Sequence, residues 1–285
     1  MAIWIRVEPF IFEGINIHYF GGEPLLNIPV LIYLDENIKK ITDKIGIVYK
    51  AFLTTNGSML SKELLQKVKF SSIQLTFDGL EKTHDRLRVS DHFHFKEEIE
   101  LIENIMNFSQ AKVLLRTNIC KENKDEIIAL HKYIFEKFGN ERIEINPNRT
   151  IKYHQDDSFE MLSVQEYAEV AYQIKLLWSE QKGKFELPVP RSTPCKFPYG
   201  NAYAISPEGY CTFCSGSMDQ EKKYFFDVDI ENKKMFSVRK ECKKCNILPL
   251  CLGGCIIQYN LRAGACTYEK YELKNILISY IKHIS

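Results

Sequence analysis

No cysteine precedes Cys120, so the N-terminal part of this 285-residue chain has no thiolate with which to hold a metal. No apolar stretch reaches the roughly 18 residues of a membrane-spanning helix. Residues 1–12 (MAIWIRVEPFIF) are interrupted by Arg6, Glu8 and Pro9, where a secretion signal needs an unbroken apolar run. Charge of one sign is lacking too: Lys and Arg number 38 and Asp and Glu 37, which leaves no overall attraction for a polyanion. These absences predict a soluble, cytoplasmic protein with neither nucleic acid nor membrane among its partners. Internal repeats and low-complexity tracts are also missing. What is present is a chain 45% hydrophobic and 26% charged, able to bury a core as one large domain, or as a medium domain with a small appendage.

The first two thirds repeat one rhythm, in which a short run of β-branched and aromatic residues gives way to a polar turn and then to helical periodicity. Strands are predicted over residues 15–20 (INIHYF), 47–54 (IVYKAFLT), 72–78 (SIQLTFD), 112–119 (KVLLRTNI) and 142–147 (RIEINP). Helices are predicted over residues 31–44, 61–68, 95–107, 124–138 and 163–181, the last opened by a capping box of Ser163 with Glu166. Strands alternating with helices imply a parallel sheet with right-handed crossovers, open or curved into a barrel. The texture changes at residues 187–198 (LPVPRSTPCKFP), which hold four of the ten prolines. Residues 1–186 are therefore read as an α/β domain and 187–285 as a small cysteine-rich one, with a hairpin turning at residues 206–209 and a closing amphipathic helix over 269–284.

That small domain carries the strongest functional signal. Cys195, Cys214, Cys242, Cys245, Cys251, Cys255 and Cys266 follow one another, with Gly209 five positions before Cys214, and from Cys242 to Cys266 the gaps are two, five, three and ten residues. Thiolates so close in sequence can converge on a metal or cluster without closing a long loop. Disulfides are the alternative reading, but they suit short secreted chains, and the total of nine cysteines is odd. So few apolar residues lie between these cysteines that bound metal is expected to supply folding energy.

In α/β folds ligands bind beyond the carboxyl ends of the strands. The predicted strands end in Gly21-Gly22-Glu23-Pro24, Thr54-Thr55-Asn56-Gly57, Thr76-Phe77-Asp78-Gly79 and Arg116-Thr117-Asn118. Each is an ordinary turn by itself. Together, YFGGEPLL at residues 19–26, LTTNG at 53–57, LTFDGLEKTHDRLR at 75–88 and the cysteine series resemble the radical S-adenosylmethionine enzymes with a SPASM auxiliary-cluster domain, from about residue 15 to Cys266.

The resemblance implies a partial (βα) barrel of the radical S-adenosylmethionine type, lacking its first strand, joined to a SPASM domain. It implies that Gly21, Gly22 and Glu23 hold the methionine amino group of S-adenosylmethionine, and that Thr76 and Arg88 hold the nucleoside and the methionine carboxylate. Thr76 stands where serine is more usual in the family. For Arg88 the chemistry agrees independently, since a guanidinium fork matches a carboxylate. Two auxiliary 4Fe-4S clusters are implied, one on Cys195, Cys214 and Cys255, the other on Cys242, Cys245, Cys251 and Cys266. Cys211, three residues before Cys214, is either the fourth ligand of the first cluster or leaves that iron open. Cys120 reads as a buried small hydrophobe. The implied partners are a peptide or protein substrate, whose side chain is oxidised or cross-linked, and an electron donor such as flavodoxin or ferredoxin.

One family element is missing. The radical-initiating Cys-x3-Cys-x2-Cys loop occurs nowhere in the sequence. The expectation is an N-terminally truncated chain, inactive alone as a radical initiator; a split enzyme and a degenerate partner-binding paralogue are the alternatives. The reading from another class is a non-enzymatic iron–sulfur or zinc protein that binds a partner.

Overall fold

The computed structural model describes residues 2–7, 14–139, 142–152, 159–192, 202–212, 223–224, 238–255 and 266–284. The chain forms two compact units. One comprises Met1–Leu75, Ser90–Leu115 and Cys195–Phe236, the other Thr76–Val89, Arg116–Pro194 and Ser237–Ser285. The architecture is α/β with five parallel strands.

In the first unit, β2 (Gly14–Phe20), β3 (Val48–Thr54) and β4 (Phe70–Thr76, whose last residue belongs to the second unit) lie side by side. The β2–β3 and β3–β4 pairs are parallel. Crossing from β2 to β3 is α1 (Ile28–Ile45), which starts where the Asn27 side chain accepts from the Val30 N–H at 3.3 Å and stops at Gly46. Crossing from β3 to β4 is α2 (Lys62–Lys67), capped by Ser61. Ile17, Tyr19, Leu31, Leu53, Leu65, Ile73 and Leu75 are fully buried between these layers, with Ile102 and Ile105 of α4 (Phe95–Phe108). Burial of such aliphatic side chains stabilises by about 1.5–3 kcal/mol each.

β5 (Lys112–Ile119) begins in this unit and ends in the second, beside β6 (Ile143–Arg149). Its burial alternates with period two: Val113, Leu115, Thr117 and Ile119 face the core, while Arg116 and Asn118 occupy the other, half-buried face. In the second unit α5 (Ile127–Phe138) and α6 (Val164–Lys182) bury Ile127, Leu130, Ile134, Ala171, Ile174 and Trp178. The capping box opening α6 is present in both directions: Ser163 Oγ accepts from the Glu166 N–H at 3.1 Å, and Glu166 Oε2 accepts from the Ser163 N–H at 2.8 Å.

The sequence reading missed a strand. β1 (Ala2–Val7) runs antiparallel to β2, from Ala2↔Phe20 to Val7↔Ile15, and antiparallel on its other side to β7 (Ala202–Ile205). The edge of β2 away from β3 is thus occupied by an antiparallel neighbour, whereas a (βα) barrel would place a parallel strand there. The alternation of Ile3, Ile5 and Val7 with Trp4 and Arg6 is the period-two signal that marks it. β7 turns into β8 (Tyr210–Thr212) as expected, with the Gly209 N–H donating to Ser206 O at 3.0 Å, and β9 (Lys223–Tyr224) pairs with β8.

Also missed was α3 (Glu81–Leu87), only seven residues long with His84 its single buried side chain. Two elements frame the late cysteines of the second unit: a helical turn, α7 (Leu248–Cys251), and the closing helix α8 (Glu269–Ile284). α8 is held to α6 by Lys175 Nζ on both oxygens of Glu272 (2.7 and 2.8 Å) and by Tyr172 Oη with Ser279 Oγ (2.6 Å). Arg191 ties both elements down, donating from Nη2 to Glu269 Oε1 at 2.7 Å and from its backbone N–H to Pro249 O at 2.8 Å.

Candidate functional site

At the end of β2 the chain passes through Gly21 (φ 88°) and Gly22 (φ 51°), left-handed conformations in which a Cβ is strained. A Cβ added to Gly22 would meet nothing within 4 Å, so the turn faces open space. Glu23 follows and caps the 3-10 turn Pro24–Asn27. Its Oε1 accepts from the Leu25 N–H at 3.0 Å and from the buried Thr55 hydroxyl at 2.7 Å, and its Oε2 accepts from the Asn56 N–H at 2.7 Å. The Thr55 hydroxyl oxygen in turn accepts from the Gly57 N–H at 3.0 Å. One carboxylate thereby clasps the turn after β2 to the turn after β3. A carboxylate offers about four acceptor positions, and three are filled by the fold.

In the second unit a polar cluster gathers where β4 and β5 end. Asp78 Oδ1 accepts from the Asn118 N–H at 3.1 Å, and Oδ2 lies 3.4 Å from Nη1 of Arg88, a side chain about 30% exposed. The Asp78 N–H points to Nδ1 of buried His84 at 3.4 Å, which links the Asp-Gly turn to the Thr-His-Asp stretch of α3. Asn123, also buried, accepts at Oδ1 from the Cys120 N–H (2.9 Å) and donates from Nδ2 to the carbonyls of Asp78 and Asn118 (both 2.8 Å). Every polar atom of that amide except one lone pair is used, so it acts as a staple between the two strand ends. Thr76 is buried at the start of this segment. Arg88 keeps further N–H donors beyond its contact with Asp78.

Four of the predicted cysteines come together. Cys242, Cys245, Cys251 and Cys266 line a single pocket, with Arg239, Gly253 and Lys270 among the other walls. Cys242 ends a 3-10 turn and accepts at its carbonyl from the Cys245 N–H at 3.0 Å, which sets the first pair one turn apart. After α7, Leu252 (φ 47°), Gly253 (φ 84°) and Gly254 (φ 70°) form three successive left-handed residues. This run aims the Gly253 N–H at Cys251 Sγ, 3.4 Å away. Arg239 Nη2 donates to Cys242 Sγ at 3.5 Å, and Lys270 Nζ lies 3.8 Å from Cys266 Sγ.

Among the described residues no three His, Cys, Asp or Glu side chains are drawn together closely enough to hold a metal ion, so the pocket is not closed on one. Its donor set nevertheless fits: four thiols without a carboxylate or imidazole belong to zinc or iron–sulfur chemistry, and N–H groups on three of the sulfurs suit thiolates. All four are free, as are Cys120, Cys211 and Cys255, so the described cysteines form no disulfide.

The sequence matches no protein-family model, and comparison with curated proteins found no match. Solved structures do match. Native anSMEcpe with bound AdoMet and Kp18Cys peptide gives a TM-score of 0.66 at 16% identity, covering 95% of this chain and 85% of that one. The same protein with AdoMet and Cp18Cys peptide gives 0.68 at 16% identity, covering 95% and 86%. SuiB of Streptococcus suis bound to S-adenosylmethionine gives 0.57 at 16% identity, covering 86% and 62%.

The fold is of the radical S-adenosylmethionine SPASM type. Cys195 and Cys214 lie outside the described residues, so of the first predicted ligand set only Cys255 is described, half-buried after the left-handed run. Cys211 is buried on β8, and burial pushes its thiol up to about 11. Cys120 is buried too; desolvation raises its pKa, as a small hydrophobe's surroundings would. No helix among the described residues is long and apolar enough to cross a membrane. Sequence reasoning missed Asn123, Arg239, Gly253 and Lys270. Asn123 carried no signal, being one polar residue in a turn, whereas Arg239 and Gly253 stand three before and two after a cysteine and are marked by that proximity alone.

Proposed function

We propose that the chain is the body of a radical S-adenosylmethionine maturase of the SPASM class, which oxidises or cross-links a side chain of a peptide or protein substrate in the cytoplasm. The observation that carries the reading is the shared pocket of Cys242, Cys245, Cys251 and Cys266, in a fold whose solved examples hold AdoMet and, in two of them, a peptide. Residues 1–186 are assigned to the partial barrel and 187–285 to the SPASM domain. Gly21, Gly22 and Glu23 are assigned to the methionine amino end of S-adenosylmethionine, Thr76 to its nucleoside, and Arg88 to its carboxylate. The free donors of Arg88 and the open face of the Gly21-Gly22 turn support this assignment.

The four pocket cysteines would hold one 4Fe-4S centre; Cys195, Cys214 and Cys255, with or without Cys211, would hold another. Such centres, when bound, supply one-electron transfer, and an external donor of the flavodoxin or ferredoxin kind would feed them. The chain's own residues bind and orient: Asp78 fixes the Arg88 fork, Asn123 fixes Asp78, and Glu23 fixes the first turn against the second.

The sequence contains no Cys-x3-Cys-x2-Cys, which favours a second reading, a non-enzymatic iron–sulfur or zinc protein that binds a partner. Anaerobic reconstitution separates the two. About eight irons per chain are expected for two complete 4Fe-4S centres, with calorimetric binding of S-adenosylmethionine that weakens in Arg88→Ala. Reduced with dithionite, the chain is expected to release no deoxyadenosine. The same chain extended by a segment bearing the three-cysteine loop should release it, and a version of that segment with alanines should not. Stoichiometric zinc without iron, or binding indifferent to Arg88, sinks the maturase reading.

A further inference from the structure

The cysteine pocket has an asymmetric electrostatic wall, and one residue dominates it. Arg239 is largely buried, its side chain 23% exposed, and its Nη2 reaches both Cys242 Sγ (3.5 Å) and the Gly253 carbonyl (3.0 Å). Gly253 returns its own N–H to Cys251 Sγ at 3.4 Å. The guanidinium therefore touches one sulfur directly and, through one residue in a left-handed run, orients the donor to a second. The only other cation lining this pocket beside a sulfur among the described residues is Lys270, 3.8 Å from Cys266 Sγ and exposed to solvent. Glu241, itself 63% exposed, stands 3.4 Å from Arg239 Nε and offsets part of the charge.

We infer that Arg239 sets the reduction potential of the iron–sulfur centre held by Cys242, Cys245, Cys251 and Cys266, its fixed guanidinium charge and sulfur contact stabilising the reduced, more negative form. This rests on the assignment of those four thiols to one such centre. Charge and hydrogen bonds at the sulfurs are established levers on cluster potential. A partly buried cation acts through less solvent screening than an exposed one, so Arg239 outweighs Lys270. Reduction adds one electron from an external donor to the centre, and no bond to Arg239 forms or breaks.

The test is a mediated redox titration of the full, reconstituted chain followed by electron paramagnetic resonance. The signal of this centre is the one lost in Cys245→Ala. At the potential where the wild-type centre is half reduced, Arg239→Gln and Arg239→Met should lower its reduced-to-oxidised ratio about tenfold, equivalent to about 59 mV for one electron. The other centre's signal should stay in place. Lys270→Met should give a smaller shift of the same sign, and Glu241→Gln a shift of the opposite sign. The opposed pair is the readout that a merely structural role would not produce.

Coincident potentials in wild type and both Arg239 variants, with iron fully loaded, overturn the inference and leave the assignment of the centre intact. Loss of this centre's iron in both variants also overturns it, because Arg239 would then be a support for assembly. If the wild type takes up no iron, the assignment and the inference fall together.

Discussion

Replacing Glu23 separates what the Gly-Gly-Glu turn does for the fold from what it does for a ligand. Its carboxylate accepts from Leu25 N–H, the Thr55 hydroxyl and Asn56 N–H. Hydrogen bonds to a charged group contribute about 1.5–3 kcal/mol each when well shielded, and Glu23 is half-buried, which argues for the low end of that range. Glu23→Gln keeps the carbonyl oxygen for Leu25 and Thr55 but turns an NH2 toward the Asn56 N–H, donor against donor. The expected loss is about 1–2 kcal/mol, close to that of a removed helix N-cap. Glu23→Ala also strands the buried Thr55 hydroxyl and should cost about 3 kcal/mol. Urea denaturation of the full chain measures the global change, and amide hydrogen exchange at Asn56 measures it locally, with faster exchange expected in both variants. A Glu23→Gln protein as stable as wild type, with Asn56 exchanging at an unchanged rate, would refute the clasp. A Glu23→Gln protein that is stable but loses S-adenosylmethionine binding would make Glu23 a ligand contact first.

Stability should fall in mild acid through His131, which is wholly buried and whose pKa burial lowers to about 3. Its Nδ1 accepts from Trp178 Nε1–H at 3.1 Å, so the ring proton sits on Nε2 toward Thr117 Oγ1, 3.1 Å away, and an added proton would face the indole N–H. The unfolded chain takes up that proton below about pH 6.5 and the folded chain does not, so stability present above pH 6.5 is lost as pH falls, by roughly 2 kcal/mol at pH 5. Denaturation midpoints across that window check it, and an equal slope in His131→Gln counts against it. If Cys251 helps to hold the proposed centre, Cys251→Ala should remove that centre's folding energy and open residues beyond Cys195 to limited proteolysis while residues 14–186 resist; an intact C-terminal tail in that variant contradicts this.

The parallel strands and their helices could be read from residue pattern because each carries a periodic signal over at least six residues, as β5 does with Val113, Leu115, Thr117 and Ile119. β1 obeys the same rule, but its Ile3, Ile5 and Val7 sit in an opening also broken by charges and a proline, and its antiparallel partners lie on both sides of it at different sequence distances. α3 is too short for periodicity to speak, with one buried residue in seven. At the strand ends the glycines and acidic residues of the Gly-Gly-Glu and Phe-Asp-Gly turns were visible as types in position. The duties of those residues were not. That Glu23 is held by Thr55 and Asn56, 32 and 33 residues on, follows only from the parallel register of β2 with β3.

The cysteine pocket shows the same division between spacing and direction. Gaps of two, five and fourteen residues between the four pocket cysteines tell which sulfurs a short loop can bring near one another, because the entropy of closing such loops grows only slowly with length. They do not tell where the N–H groups point. That depends on φ at Leu252, Gly253 and Gly254, and Leu252 adopts a positive φ although it is not a glycine, at a cost of order 1 kcal/mol that the surrounding contacts must offset. A strained, non-glycine residue directly after Cys251 is where the loop departs from what its composition favours. The departure places the Gly253 N–H on one sulfur and its carbonyl under the guanidinium that meets another. Backbone strain and a partly buried cation meet at the same two thiols, which is the arrangement expected where the electronic environment of the sulfurs, and not their mere proximity, is what the loop maintains.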